Sequence, residues 1–240
     1  MMKIYAHRGA SRDYPEASRA AYQAAVEEGA DGFECDVRLT KDGQIICWHD
    51  SRTLRATGIK KSIAWSDLAE LEFASPYLLS ELVELAIAQK KNLAIETKHP
   101  VVTRGMIEYR VAELLGKYSE QIHTSGIDVV LFSFSSNAVR RADRLGLKAV
   151  HLIAHRYQFF YDRILTRAIY RRTGRTIDIG PGLHLVKAHP EIVERAHESG
   201  RRVFVWTVNE ATDLNNCEKV GVDIVMSDIP FQARKALGYS

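Results

Sequence analysis

Cysteine is scarce in this chain. Cys35, Cys47 and Cys217 are all there are, an odd number lying within or beside apolar segments, and no spacing suits a shared metal. A disulfide framework and a cysteine-held zinc are thereby excluded, and the three read as reduced core thiols of a cytosolic protein. Charge of one sign is also in short supply. The net charge of +3 is too small for the concentrated basic face that nucleic-acid binding needs, though it is compatible with an anionic substrate. No apolar run is long enough to span a bilayer, and Met1 leads straight into the strand-like Lys3 to His7 without the charged and apolar regions of a signal peptide. The expectation is a cytoplasmic protein with no stable membrane insertion. A linker is missing too, so the 240 residues, 46% hydrophobic and 26% charged, read as one globular domain over 1–240 with a substantial core.

What the chain does have is concentrated between Asp31 and Asp50. Phe33, Cys35, Val37 and Leu39 alternate with Glu34, Asp36 and Arg38, the period of a strand, so Glu34 and Asp36 share one face. Two carboxylates on one face repel unless a cation or a basic group sits between them, which points to a hard metal such as Mg²⁺ or Ca²⁺. Lys41-Asp42-Gly43 then turns the chain as Asp-Gly does in a tight hairpin, and a second apolar run, Ile45 to Trp48, ends on His49-Asp50. A titratable imidazole at a strand end, beside a candidate metal strand, is placed for acid–base chemistry.

Strands and helices alternate along the rest of the chain. A short run at Ile4-Tyr5-Ala6 stops at His7-Arg8-Gly9, and a helix capped by Ser18 follows. Residues 51–79 form the least regular segment, an excursion over the mouth of the domain. Asn92 to Lys98 alternates again and puts Glu96 and Lys98 on one face. Further strands are expected at Asp128 to Ser133, Lys148 to Ala154, Ile177 to Leu185, Val203 to Val208 and Ile224 to Met226. Helices are expected from about Arg104 to Lys117 and over Ser136 to Leu145, Pro190 to Ser199, Glu210 to Lys219 and from Pro230. This order fits an α/β (β/α)₈ TIM barrel with one early hairpin-like pair in surplus. The rival, a doubly wound open sheet, lacks its glycine-rich phosphate fingerprint after the first strand. A barrel also explains why His7, Glu34, Asp36, His49, Glu96 and Trp206 fall at or near strand C-terminal ends, where barrels carry their chemistry.

Over nearly its whole length the chain resembles the glycerophosphodiester phosphodiesterases. The matching pieces are His7-Arg8-Gly9-Ala10, Pro15-Glu16, Gly29-Ala30-Asp31, Glu34-Cys35-Asp36-Val37, Thr40-Lys41-Asp42-Gly43 and His49-Asp50, followed by Ile95-Glu96-Thr97-Lys98, Trp206-Thr207-Val208-Asn209, Gly221-Val222-Asp223 and Ser227-Asp228-Ile229-Pro230. Each is weak alone; their order and spacing together are specific. The resemblance implies a barrel, a divalent metal on Glu34, Asp36 and Glu96, acid–base work by His7 and His49, and phosphate contacts from Arg8 and Lys98. It also implies a small glycerophosphodiester as substrate, cut to glycerol 3-phosphate and an alcohol. A neighbouring glycerol hydroxyl is the implied nucleophile. One departure stands out: the family's usual Pro-Glu-Asn-Thr is Pro15-Glu16-Ala17-Ser18 here, which removes an amide beside the site and keeps the helix cap.

Other readings compete at several positions. Glu34, Asp36 and Glu96 form either a metal site or a salt-bridge network with Arg8, Arg38 and Lys98. Trp206 is either barrel core or a wall against the substrate alcohol. Asp228 reads as the cap of the helix begun by Pro230, and Asp50 as either a partner of His49 or a turn cap. The basic, aromatic stretch Tyr157 to Arg175 reads as a helix that buries its aromatics and solvates its arginines, in preference to a surface docked on an anionic membrane or a second subunit. At the level of function, the alternatives to a soluble phosphodiesterase are a phospholipase-type enzyme acting on lipid headgroups, which needs an apolar lip at the barrel mouth, and a non-catalytic barrel that binds phosphorylated ligands.

Overall fold

The computed structural model describes residues 1–99 and 105–239. Its strands are β1 (Lys3–His7), β2 (Gly32–Leu39), β3 (Ile45–Cys47), β4 (Tyr77–Leu78), β5 (Asn92–Thr97), β6 (Val129–Ser133), β7 (Lys148–Ile153), β8 (Asp178–Pro181), β9 (Phe204–Val205) and β10 (Ile224–Ser227). Eight of them run parallel in the order β8-β7-β6-β5-β2-β1-β10-β9. Isolated parallel bridges from Ile179 to Val203 and from Gly182 to Trp206 bring the two ends of that order together, so the sheet is a nearly closed barrel alternating with helices. The expected surplus is real: β3 pairs antiparallel with β2 and then with β4, outside the ring. A short helix at Leu54–Thr57 and 3₁₀ turns at Ile63–Trp65 and Leu68–Ala74 complete this side arm.

Inside the ring, side chains alternate in layers. Tyr5, Ala94, Val130, Phe132, Val150, Phe204, Ile224 and Met226 form an apolar plug, with Phe132 and Phe204 edge to face at 5.2 Å. The Tyr5 ring fills the place that a side chain on Gly32 would take, 2.8 Å from where its Cβ would stand. One step further toward the strand C-termini, the same inward faces turn polar: Tyr5 gives way to His7, Gly32 to Glu34 and Asp36, Ala94 to Glu96. The outer faces of the strands and the inner faces of the helices make the remaining core, in which all three cysteines are buried free thiols.

Two expected strands are shorter than their apolar runs. Only Phe204–Val205 of Val203 to Val208 is continuous strand, flanked by the single bridges of Val203 and Trp206. Of Ile177 to Leu185 only Asp178–Pro181 is strand, since Pro181 has no N–H for a ladder and Leu183–Ala188 is already helical. The helix expected from about Arg104 begins at Met106 among the described residues, and Arg104 itself lies outside them. The helix Gln158–Thr173 departs from expectation in its packing. It is held by Asp162, Leu165 and Ile169, and of its aromatics only Phe159 packs in part against the core, whereas Tyr157, Phe160, Tyr161 and Tyr170 are exposed. No helix among the described residues is long and apolar enough to cross a membrane.

Candidate active site

Register alone assembles the central cluster. β1 pairs with β2 so that His7 stands opposite Glu34, and β2 pairs with β5 so that Asp36 stands opposite Glu96. Glu34, Asp36 and Glu96 each present an oxygen within 4.8 Å of the others, and all three are buried. His7 is brought in by the turn His7-Arg8-Gly9. Gly9 is required there, having φ +85° and a would-be Cβ 2.6 Å from the backbone of Ala21. His49 arrives by another route. The main chain of Trp48 donates to the Asp36 carbonyl at 2.8 Å, and the Arg38 guanidinium donates twice to the His49 carbonyl, at 2.9 and 2.7 Å. His7, His49, Glu34, Glu96, Arg8 and Lys98 line one cavity of about 250 Å³, floored by Phe132, Leu152 and Met226 and walled by Phe134 and Trp206. Trp206 packs edge to face on Phe134 and donates from its indole to the Gly180 carbonyl at 2.8 Å, so it is both part of the core and a wall of the cavity.

The charges in the cluster are unequal. Burial, together with Asp36 and Glu96, pushes the Glu34 carboxyl well above the usual range, and burial with Asp36 beside it pushes Glu96 up to about 7. Burial also opposes ionisation of Asp36, but Lys98 and Arg8 outweigh it and hold its carboxyl low. Arg8 Nε lies 2.7 Å from Asp36, and Lys98 Nζ lies 3.1 Å from Asp36 and 2.8 Å from Glu96. The salt-bridge reading is therefore realised in part, by Arg8 and Lys98, while Arg38 turns instead to the His49 carbonyl. Yet these contacts do not align donor to lone pair. Both Asp36 oxygens are buried with no hydrogen bond, as is Arg8 Nε. Three hard oxygen donors, one of them unsatisfied on both atoms, fit a divalent cation of the Mg²⁺ or Ca²⁺ kind.

Each histidine has a carboxylate behind it. His7 Nδ1 donates to Asp228 at 2.6 Å, and His49 Nδ1 to Asp50 at 2.7 Å. Asp228 is thus not the cap of the helix Pro230–Ala236, whose N-cap position is Ile229 and which has no side-chain cap. Ser11 Oγ and Asn209 Nδ2 also donate to Asp228, at 3.0 and 2.7 Å. Burial raises its pKa, but the bonds from His7, Asn209 and Ser11 prevail and bring it down to about 2. Asp50 is the partner of His49 rather than a turn cap, and Arg55 holds it from the side arm at 2.5 Å. Arg55 also pairs with Glu16, which accepts from Arg8 at 3.2 Å, so the arm is tied to the mouth. Burial, then Lys98 and Arg8, lower the pKa of His49. Sequence reasoning gives Ser11 and Asn209 no role and Asp228 only that of a cap; the signal that points to Asp228 is its place at the C-terminal end of a barrel strand. Ala17, at the departure from the family pattern, is buried with φ +58°, a conformation that an asparagine adopts more readily than an alanine.

Known proteins resemble this chain in family and in fold. The model of the glycerophosphoryl diester phosphodiesterase family matches residues 7–231. A Mycobacterium tuberculosis protein named "Probable glycerophosphodiester phosphodiesterase 1" is 35% identical over 241 residues, which cover 91% of this chain and 86% of that one. Among solved structures, a glycerophosphodiester phosphodiesterase from Thermotoga maritima superposes with a TM-score of 0.80 at 22% identity, covering 98% of both chains. A phosphodiesterase from Oleispira antarctica, solved in complex with the product sn-glycerol-3-phosphate, does so with a TM-score of 0.80 at 20% identity, covering 98% of this chain and 96% of that one. At these identities the two structures speak to the barrel fold.

Proposed function

Since this chain belongs to the glycerophosphoryl diester phosphodiesterase family, we propose that it is a metal-dependent hydrolase, folded as a single domain, that cuts glycerophosphodiesters into glycerol 3-phosphate and an alcohol. The observation that carries this reading is the convergence of two aspartate-backed histidines with Glu34 and Glu96 on one cavity, with Asp36 clustered beside those two carboxylates. Glu34, Asp36 and Glu96 would hold the cation, Mg²⁺ or Ca²⁺, which when bound supplies Lewis-acid polarisation of the phosphoryl group. Arg8 and Lys98 are within reach of the same space and offset the charge that builds on the phosphate oxygens. Trp206 and Phe134 present apolar surface to the bound diester.

Proton transfer falls to the histidines. The hydrogen bonds to Asp228 and Asp50 fix both Nδ1 atoms as donors, leaving each Nε2 for the reaction. One takes the proton of the attacking hydroxyl as the new P–O bond forms; the other gives a proton to the departing alcohol as the old P–O bond breaks. With the neighbouring glycerol hydroxyl as nucleophile the attack is intramolecular and gains from proximity, and water then opens the cyclic phosphate.

Hydrolysis of glycerophosphocholine tests the reading. Turnover should vanish with a chelator, return with Mg²⁺ or Ca²⁺, and follow a bell-shaped pH profile. Calorimetric titration should show weaker metal binding in Glu34→Gln, Asp36→Asn and Glu96→Gln with the fold retained; unchanged affinity in all three would remove the metal assignment. A diester without the neighbouring hydroxyl should be cut poorly, and hydrolysis at the rate of glycerophosphocholine would replace the intramolecular route with direct attack by water.

A further inference from the structure

Helix Gln158–Thr173 leaves an apolar stripe in water. Tyr157, Phe160, Tyr161 and Ile164 recur at i, i+3, i+4 and i+7, so they lie along one face, and they are 65%, 65%, 58% and 50% exposed. A contiguous patch of this kind on a protein surface marks an interaction site. Its borders are cationic: Arg156, Arg163, Arg167 and Arg171 are all exposed, and among the described residues none has a carboxylate partner. The helix's one acid, Asp162, points inward to His151 at 3.0 Å and Arg201 at 2.7 Å. In the shallow groove beside the stripe, Glu198 is the only acidic residue lining the wall, against Arg163, Arg167, Arg171 and Arg201.

The patch also has a definite place in the barrel. The helix follows the C-terminal end of β7 and runs back along the outside of the barrel, where Phe160 and Ile164 share a groove with Thr176, Ile177, Glu198 and Arg201, residues that precede β8 and β9. Tyrosine, phenylalanine and isoleucine flanked by unpaired arginines suit the boundary between lipid headgroups and acyl chains, with guanidinium groups on the phosphates. A second copy of this chain suits the patch less well, because a two-fold contact would bring like-charged arginines face to face.

We infer that this stripe seats the flank of the barrel on an anionic phospholipid surface. Such docking is independent of how the site cleaves its substrate.

Co-sedimentation with vesicles tests the inference. The protein should pellet with phosphatidylcholine vesicles containing phosphatidylglycerol and not with phosphatidylcholine alone, and added salt should release it. Arg163→Gln and Arg167→Gln should each weaken binding about fivefold. Phe160→Ser combined with Tyr161→Ser should abolish it while hydrolysis of soluble glycerophosphocholine continues, which also shows that the variant is folded. No pelleting with the anionic vesicles at low salt, or equal pelleting of the double variant, would overturn the proposal. So would a dimer in sedimentation equilibrium that Phe160→Ser dissolves, since the face would then belong to a second copy. Loss of hydrolysis in the wild type with vesicle binding intact would count against the catalytic reading alone.

Discussion

Asp228 reaches His7 across 221 residues of chain, and that distance is why its role was hidden. In the sequence, Ser227-Asp228-Ile229-Pro230 has the look of a helix start, and only closure of the ring through β10 and β1 turns the carboxylate toward the imidazole. Local pattern was enough for Glu34, Asp36 and Glu96, because strand alternation places them on one face whatever the rest of the chain does. Asp50 falls between the two cases: it is next to His49 in sequence, but the arm that brings Arg55 to it is irregular. If Asp228 acts by orienting His7, Asp228→Asn should lower kcat by about a hundredfold and leave metal affinity in calorimetry unaltered. A variant with full turnover would reduce the pair to a structural contact.

At the scale of elements, the boundaries of long alternating strands were legible and those of the short ones were not. β2 and β5 carry uninterrupted alternation and were found where expected. β8 and β9 are brief, and the apolar residues beyond them, Leu185 and Val208, are buried in a helix and in irregular chain instead, which periodicity alone does not distinguish. The exposed aromatics of helix Gln158–Thr173 were misread because an apolar stripe has the same spacing whether it faces a core or a partner. The junction of β1 with the helix Arg19–Glu27 offers a sharp test. A methyl group at Gly9 meets the Ala21 backbone at 2.6 Å while φ stays at +85°, so both clash and left-handed strain apply. Gly9→Ala should cost about 3 kcal/mol of stability, read from urea unfolding, and should displace His7 enough to suppress turnover in the folded fraction.

For the molecule as a whole, buried ion pairs set its behaviour in acid. Burial raises the pKa of Asp162, Glu108 and Asp228, but His151 and Arg201, His99 and Arg141, and His7 with Asn209 and Ser11 more than offset it, so all three are depressed in the folded chain. A depressed carboxyl stabilises the fold above its unfolded pKa of about 4 and loses that contribution as pH falls. Stability should therefore decline from about pH 4 downward, with the Asp228 share, about 2 kcal/mol, lost by about pH 2. Urea midpoints against pH would check this, and Asp162→Asn should flatten the curve. The side arm has a different consequence. His49 is carried outside the ring, on chain that continues through the exposed Leu54, Ile59 and Lys60 before it rejoins the barrel at β5. A protease such as trypsin, cutting once after Lys60, would leave all eight ring strands and the carboxylate trio in place while freeing the segment that positions one proton donor. Limited digestion would then silence the enzyme without unfolding it, and the nicked chain would still compete for the cation.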